Sequence, residues 1–429
     1  MLTAAVWTIQ SLPVQANLLD KDMTSIEEIT LDWETLYCPN GRCEHYGKPF
    51  KIGWLVRNGS SRGESQARCQ GCGSNVTLSY GTAYYGLGTD PLIFETALRA
   101  LAEGNSLRAT ARIVEVDKEL VRGWLDRAAR QCRAVMLYLW RDLPATECQL
   151  DELWSFVHTK QDNLPGAQHY VDSHGDTWVW LAFAPVWRLV LGFVVGKRDQ
   201  ASANRLLGQV AQVTDADILP LFTSDQWPAY HQALLTTYGE WYCPLRRGTR
   251  GAHPKPRLRP RADLLYAQVI KHRRRGRVIA VRTRVVFGDP AVVTARLAQS
   301  PVSQTINTSF VERDNLTQRQ QNRRLSRRTN GFSKDITWLE KQLWLSLAYY
   351  HLILPHARLR TPLSAPEPTL GTGSPRRWRP MTPAMAAGIT DHLWTVRELL
   401  SYRVSPLYWQ EQPLLEKLFP SWPELHHGS

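Results

Sequence analysis

The sequence predicts a multidomain α/β protein, and three observations carry that prediction. Two cysteine pairs, Cys38/Cys43 and Cys69/Cys72, stand near the amino terminus. A helical stretch with two breaks follows from Asp90 to about Cys132. Beyond Pro144, apolar, β-branched and aromatic runs alternate with amphipathic helical segments, as in a sheet flanked by helices. At 429 residues the chain has room for two to four domains.

In chain order, residues 1–33 carry no assignable pattern. Residues 34–85 are rich in Gly, Cys and short polar residues and read as a zinc ribbon. Residues 90–135 read as a helix-turn-helix, and residues 146–354 as an α/β domain with a basic insert at 240–300. Within that domain, Cys148 to Val195 reads as strands, Ala201 to Val213 as a helix, and Ile218 to Phe222 as a buried strand ending at Thr223-Ser224-Asp225. In the insert, Arg246 to Arg261 reads as an extended arm. Leu264–Lys271 and Arg277–Phe287 read as a hairpin whose tip is Arg273, Arg274 and Arg275. Thr308 to about Arg328 is a basic helix and Ile336 to Leu354 an aromatic-rich one. Residues 355–383 read as a Pro-rich linker and 384–429 as a helical tail.

Composition narrows the function classes. Hydrophobic residues make up 43% of the chain, enough for a packed core. No apolar run is long enough for a membrane span, and the start lacks the pattern of a secretory signal, so a cytoplasmic, nucleoid-associated protein is expected. The net charge is +13, and the segment Arg246–Arg284 alone holds 14 Lys and Arg against one acid. That segment therefore accounts for the whole imbalance. A local basic stripe in a near-neutral chain points to nucleic acid.

The cysteine spacing is a strong metal signal. Cys38, Cys43, Cys69 and Cys72 can each place a thiolate on one of two knuckles, and four thiolates satisfy tetrahedral Zn2+. Asn40, Gly41 and Gly71 supply the turns. A closed four-cysteine site is structural.

In the helical stretch, a short helix, a turn at Val116-Asp117 with Asp117 as N-cap, and a longer helix match a helix-turn-helix. Arg122, Arg127 and Arg130 are expected on its exposed side, within reach of phosphate or base edges.

Three acids stand in unusual settings. Asp151 lies in the strand-like run Leu150 to Val157, Asp225 ends a buried strand, and Glu312 begins the basic helix. A carboxylate inside an apolar strand is costly unless paired or metal-bound. Carboxylates on a central strand, a neighbouring strand end and a covering helix can converge on two divalent cations. Glu152 and Asp314 are adjacent rivals that composition does not exclude. Asn315, Arg319 and Arg323 fall near the face of Glu312 at helical spacing, where they could orient a phosphate.

The run Asp151-Glu152-Leu153-Trp154-Ser155-Phe156-Val157 with Lys160 resembles the first catalytic motif of the IS-one family of insertion-sequence transposases. Thr223 to Tyr230 resembles its second. Asn307 to Lys334, with Glu312-Arg313-Asp314-Asn315-Leu316, Arg319-Gln320, Arg324 to Arg328 and Phe332-Ser333-Lys334, resembles its third. The resemblance spans about Cys38 to Leu354 and includes the ribbon and helix-turn-helix. It implies an RNase H-like domain whose triad is Asp151, Asp225 and Glu312, holding two Mg2+ (or Mn2+) ions. It also implies double-stranded DNA as partner, namely terminal inverted repeats and target, and an oligomer that brings two ends together. The 86 residues between Asp225 and Glu312 exceed the spacing of compact family members, and the excess contains the basic segment. A DNA-binding regulator with an inactive nuclease-like domain would share the amino-terminal units; the presence of all three acids favours the enzyme.

Overall fold

The computed structural model describes residues 31–164, 174–245, 253–327, 330–369 and 373–423. The expected segment 1–33 therefore falls largely outside the described residues, as do the first part of the basic arm, 246–252, and Arg328; the rest of the arm is described and includes a short strand, Arg257–Pro260.

The cysteine-rich segment forms a three-stranded antiparallel sheet of β1 (Leu55–Ser61), β2 (Glu64–Cys69) and β3 (Asn75–Thr77). Its small core joins Leu36, Leu55, Ala67 and Val76 to Cys38 and Cys69. Helices α1 (Pro91–Ala102), α2 (Leu107–Ile113) and α3 (Lys118–Leu139) follow. Asp90, Ser106 and Asp117 cap them by accepting backbone N–H groups that would otherwise be orphaned. The break after α1 needs Gly104. Its φ is +86°, and a Cβ there would lie 2.7 Å from the Gln320 carbonyl oxygen.

The main sheet begins with β4 (Glu147–Val157), β5 (Gly175–Ala184) and β6 (Leu189–Gly196), each antiparallel to the one before. Then come α4 (Gln200–Val213), β7 (Leu221–Ser224), α5 (Pro228–Tyr238), and a small hairpin of β8 (Gly239–Tyr242) with β9 (Arg257–Pro260). After these come β10 (Tyr266–Arg274), β11 (Arg277–Phe287), α6 (Pro290–Ala298), α7 (Ser309–Gln321) and α8 (Ile336–Ala348). The six-stranded order is β11-β10-β7-β4-β5-β6. β7 runs parallel to both β4 and β10, and β11 turns back antiparallel to β10. β5 and β6 are buried along nearly their whole length, which explains their near-continuous apolar runs.

Several expectations change here. The basic hairpin is real, but it is not a pure insert, because Tyr266, Ala267 and Gln268 of β10 pair with Phe222, Thr223 and Ser224 of β7. Only its distal half projects. The basic helix stops at Gln321, where Asn322 leaves helical geometry and caps a short 3-10 turn, Arg323–Leu325. The buried strand starts at Leu221 rather than Ile218. The Pro-rich stretch contains an exposed hairpin, β12 (Thr361–Glu367) with β13 (Arg376–Arg379).

The tail is part of the core. Helices α9 (Pro383–Ala386), α10 (Val396–Ser401), α11 (Pro406–Glu411) and α12 (Pro413–Leu418) contribute Val396, Leu399, Leu400, Tyr408 and Leu415 to it. Arg133 of α3 donates to the Phe419 carbonyl, and Tyr408 to the Leu137 carbonyl. Asp126 of α3 is held by Lys341 of α8 at 2.5 Å and by Arg130 at 3.0 Å. Helices α1 to α3, the main sheet and the tail thus share one core cluster. No helix among the described residues is long and apolar enough to cross a membrane.

Candidate active site and metal centre

The two knuckles converge. The Sγ atoms of Cys38 and Cys72 lie 3.7 Å apart and those of Cys43 and Cys69 3.9 Å apart, and all four lie within 4.8 Å of one another. Tetrahedral zinc with bonds of about 2.3 Å separates its sulfurs by about 3.8 Å, so the donor set and spacing fit the ion. The turns arise locally: the Asn40 side chain accepts from the Arg42 N–H, and the Gly73 N–H donates to the Cys69 carbonyl. Gly71 is required, because a Cβ would meet the His45 ring at 2.6 Å. The four cysteines form the one such metal-ligating group among the described residues.

The second site lies where β4 and β7 run side by side. Leu150 pairs with Ser224, so Asp151 and Asp225 stand one step further along adjacent parallel strands. Glu312 comes from the first turn of α7. The three acids line one cleft of about 400 Å³ with Gln226, Val269, Lys271 and Arg273. The strand pairing and α7 thus bring together three residues separated by many tens of positions.

Each acid has one oxygen fixed by the protein. Asn315 donates to Asp151 Oδ2 at 2.7 Å, and the Trp227 N–H donates to Asp225 Oδ1 at 2.9 Å. Glu312 Oε1 accepts from Thr308 at 2.5 Å and from Lys271. Gln149, on the same face of β4 as Asp151, sets α7 in place. Its Oε1 accepts from the N–H groups of Phe310 and Val311, and its Nε2 donates to the Asn307 carbonyl at 2.9 Å. Burial, then the charges of Glu152, Asp225 and Glu312, push Asp151 up to about 7. A cluster of three carboxylates open on one side could hold divalent cations.

The rival acids face elsewhere. Glu152 is buried on the opposite face of β4, where it accepts from Arg198 at 2.8 Å and from the Tyr230 hydroxyl at 2.7 Å. Asp314 is buried behind α7 with Gln318, and burial pushes it up to about 7.

The expected DNA-contact residues divide. Arg273, Arg274 and Arg275 are exposed at the hairpin tip, and Arg273 also lines the acid cleft. Arg274 sits directly across from Arg277, a like-charge pair that costs stability in isolation. Arg122 is exposed near the start of α3 and pairs with Glu119 at 2.8 Å.

Arg127 and Arg130 are not on an exposed face. Arg127 donates to the carbonyls of Ala83 and Tyr85, and Arg130 to those of Trp422 and Pro423. The reason is that α3 runs through the core, leaving only its first turns at the surface. Arg319 is also a brace, donating to the carbonyls of Leu325 (2.6 Å) and Trp154 (2.8 Å), and burial pushes it down to about 10. Arg323 is exposed but lies past the end of α7, so helical spacing does not carry it to the face of Glu312. Asn315 serves Asp151 directly. Sequence reading passed over Gln149, Lys271 and Thr308. Of these, Gln149 alone gave a signal, as a polar residue two positions before Asp151 in an apolar strand.

No family model matches the chain, and no curated protein matches it. Among solved structures, it is similar to the Mos1 strand transfer complex at 17% identity, over 35% of this chain and 57% of that one, with a TM-score of 0.15. The mariner Mos1 paired end complex with Mg matches at 15% identity and a TM-score of 0.15, over 35% of this chain and 58% of that one. A pre-cleavage Mos1 transpososome matches at 14%, again with a TM-score of 0.15, over 35% and 59%. The alignment thus takes in under two thirds of each of those chains.

Proposed function

We propose that the protein is a DDE-type DNA transposase that binds the terminal inverted repeats of an insertion sequence and catalyses Mg2+-dependent strand cleavage and strand transfer. The observation that carries this reading is the cleft itself: Asp151, Asp225 and Glu312, from two strands and a helix, line one opening beside a basic hairpin. The strand order supports an RNase H-like domain. Three antiparallel strands, β4 to β6, are followed by β7 and β10, which add in parallel on the other side of β4. The three motifs that resemble the IS-one family contain these same acids.

Asp151, Asp225 and Glu312 are the residues that would hold two Mg2+ or Mn2+ ions, whose chemistry is to activate an attacking hydroxyl and stabilise a leaving 3′-oxygen. The chain's own residues prepare the site. Asn315 orients Asp151, and Gln149 and Thr308 fix the start of α7 so that Glu312 faces the strands. Lys271 and Arg273 offset phosphate charge at the cleft wall. In the first step the oxygen of water bonds to phosphorus as the 3′-oxygen leaves. In the second the freed 3′-hydroxyl loses its proton to solvent and its oxygen bonds to a target phosphorus as the target strand's own 3′-oxygen leaves. Neither step needs a protein nucleophile.

The ribbon, with structural Zn2+ on its four cysteines, and the exposed start of α3 with Arg122 would select the DNA ends. Arg273, Arg274 and Arg275 would lie along phosphates. Synapsis of two ends calls for a homo-oligomer.

The test is Asp225→Ala in full-length protein, on DNA carrying the ends that flank its own gene. Cleavage and strand transfer in Mg2+ should vanish while end binding persists. Strand transfer by the variant would overturn the triad, and inactivity of the wild type with intact binding would favour the regulator.

A further inference from the structure

A second cleft lies behind α7, away from the acids, and no role assigned so far uses it. It is about 580 Å³ in volume. Its walls include Arg188 from the turn between β5 and β6, Arg313 from α7, and His356 and Arg358 from the chain after α8, with Phe310 and Tyr350 as an apolar floor. Among the described residues, no ion pair holds Arg188, Arg313 or Arg358. Burial, and then Arg358, disfavour the charge on Arg188, and burial, then Arg188 and Arg358, disfavour a charge on His356.

Arg188 is the most telling member. Its Nε is buried without a hydrogen-bond partner, and its guanidinium stacks 4.3 Å over the Phe310 ring. Its backbone lies in the left-handed region at φ +57°, a costly place for a side chain of this size. His356 accepts the Arg358 N–H on Nδ1 at 3.2 Å, which leaves Nε2 as a donor. Asp314 shares the pocket wall, but burial pushes its carboxyl up to about 7 and its bonds go to Gln318. Among the described residues, no ion pair links it to Arg188, Arg313 or Arg358.

Guanidinium groups held together without a counter-charge are the arrangement that a tetrahedral oxyanion relieves, since each fork can donate to two of its oxygens. From this we propose that the cleft formed by Arg188, Arg313, His356 and Arg358 is a binding site for a phosphate group. The phosphate comes either from a nucleic-acid backbone or from a small phosphate. α7 carries Glu312 and Asn315 toward the acids and Arg313 toward this cleft, so one helix borders both sites. The inference does not depend on the acids being catalytic.

The test is arginine-selective dicarbonyl labelling of the full-length, zinc-loaded protein, read by mass spectrometry without divalent cation. One arm adds inorganic phosphate and the other a short duplex of arbitrary sequence, both at constant ionic strength. Labelling of Arg188 and Arg358 should slow several-fold relative to Arg141, an exposed arginine just after α3. Protection by the duplex, with or without protection by phosphate, assigns the backbone as the source. Protection by phosphate alone assigns a small ligand. No selective protection in either arm overturns the site. Arg358→Met, at an exposed position, should abolish the protection of Arg188, and unchanged protection there would also overturn it. Because the labelling involves no cleavage, its failure leaves the acid-cleft reading standing.

Discussion

Two clusters of side chains are built on opposite principles: the four cysteines, and the three acids proposed to hold Mg2+. The four cysteines are closed. Their sulfurs lie within 4.8 Å of one another, and Cys38 and Cys69 are buried in the ribbon's own core. The three acids are open. They line a cleft of about 400 Å³, each held by one oxygen, with Lys271 and Arg273 on the rim. A closed site uses its ion to hold the chain together, whereas an open one keeps coordination positions for a substrate. The difference teaches that metal dependence of this protein should separate into a folding component and a chemical component.

The largest effect should come from the closed site. Cys69→Ser/Cys72→Ser should remove zinc and unfold the ribbon, because structural zinc contributes about 10–16 kcal/mol of apparent binding energy in small domains. Limited proteolysis should then cut within residues 34–85 while the main core stays resistant. A protease-resistant ribbon in the variant would break the contrast.

The open site should respond with the opposite sign. Asp151 titrates near 7 in the fold and near 3.8 unfolded, so the native state binds the extra proton between those values. Stability therefore falls as pH rises across that window. Asp151→Asn removes the buried charge and should raise stability at pH 8 without added Mg2+, by on the order of 1–4 kcal/mol, with little change near pH 4. Urea midpoints at the two pH values would measure it, and a variant less stable at pH 8 would contradict the open-site description.

The smallest effect concerns the rim. Arg273→Ala/Arg274→Ala/Arg275→Ala should weaken binding to all DNA sequences and flatten the slope of log affinity against log salt by up to about 2.7, since each phosphate contact contributes about 0.9. An unchanged slope would place DNA elsewhere. The same change should leave the ribbon's zinc content untouched.

The two clusters were also unequally legible in the sequence. The cysteine spacing is local, so the ribbon could be read directly from two short motifs. Asp151 and Asp225 were legible because each interrupts or ends an apolar strand. Glu312 stood out as an acid among arginines, and choosing these three acids over Glu152 and Asp314 depended on a motif resemblance. What sequence reading missed depends on long-range placement. Arg127 and Arg130 have the spacing of an exposed helix face, yet the carbonyls of Ala83 and Tyr85 take the first guanidinium, and the tail, folding back over α3, takes the second. The basic segment reads as one insert because charge dominates its composition. The first strand of its long hairpin nevertheless begins with Tyr266 and Ala267, both fully buried, and joins the main sheet. Lys271 lies in the same run and could not be told from its basic neighbours, although it alone reaches Glu312.

The claim that Asp151, Asp225 and Glu312 form one metal centre is most directly tested by exchanging Mg2+ for Fe2+ and generating hydroxyl radicals at the bound ion with ascorbate and peroxide. The account predicts backbone cuts at three places distant in sequence, near Asp151 on β4, after β7 at Asp225, and at the start of α7, all three lost together in Asp225→Ala. Cuts confined to one of these segments, or cuts that persist in the variant, would contradict it.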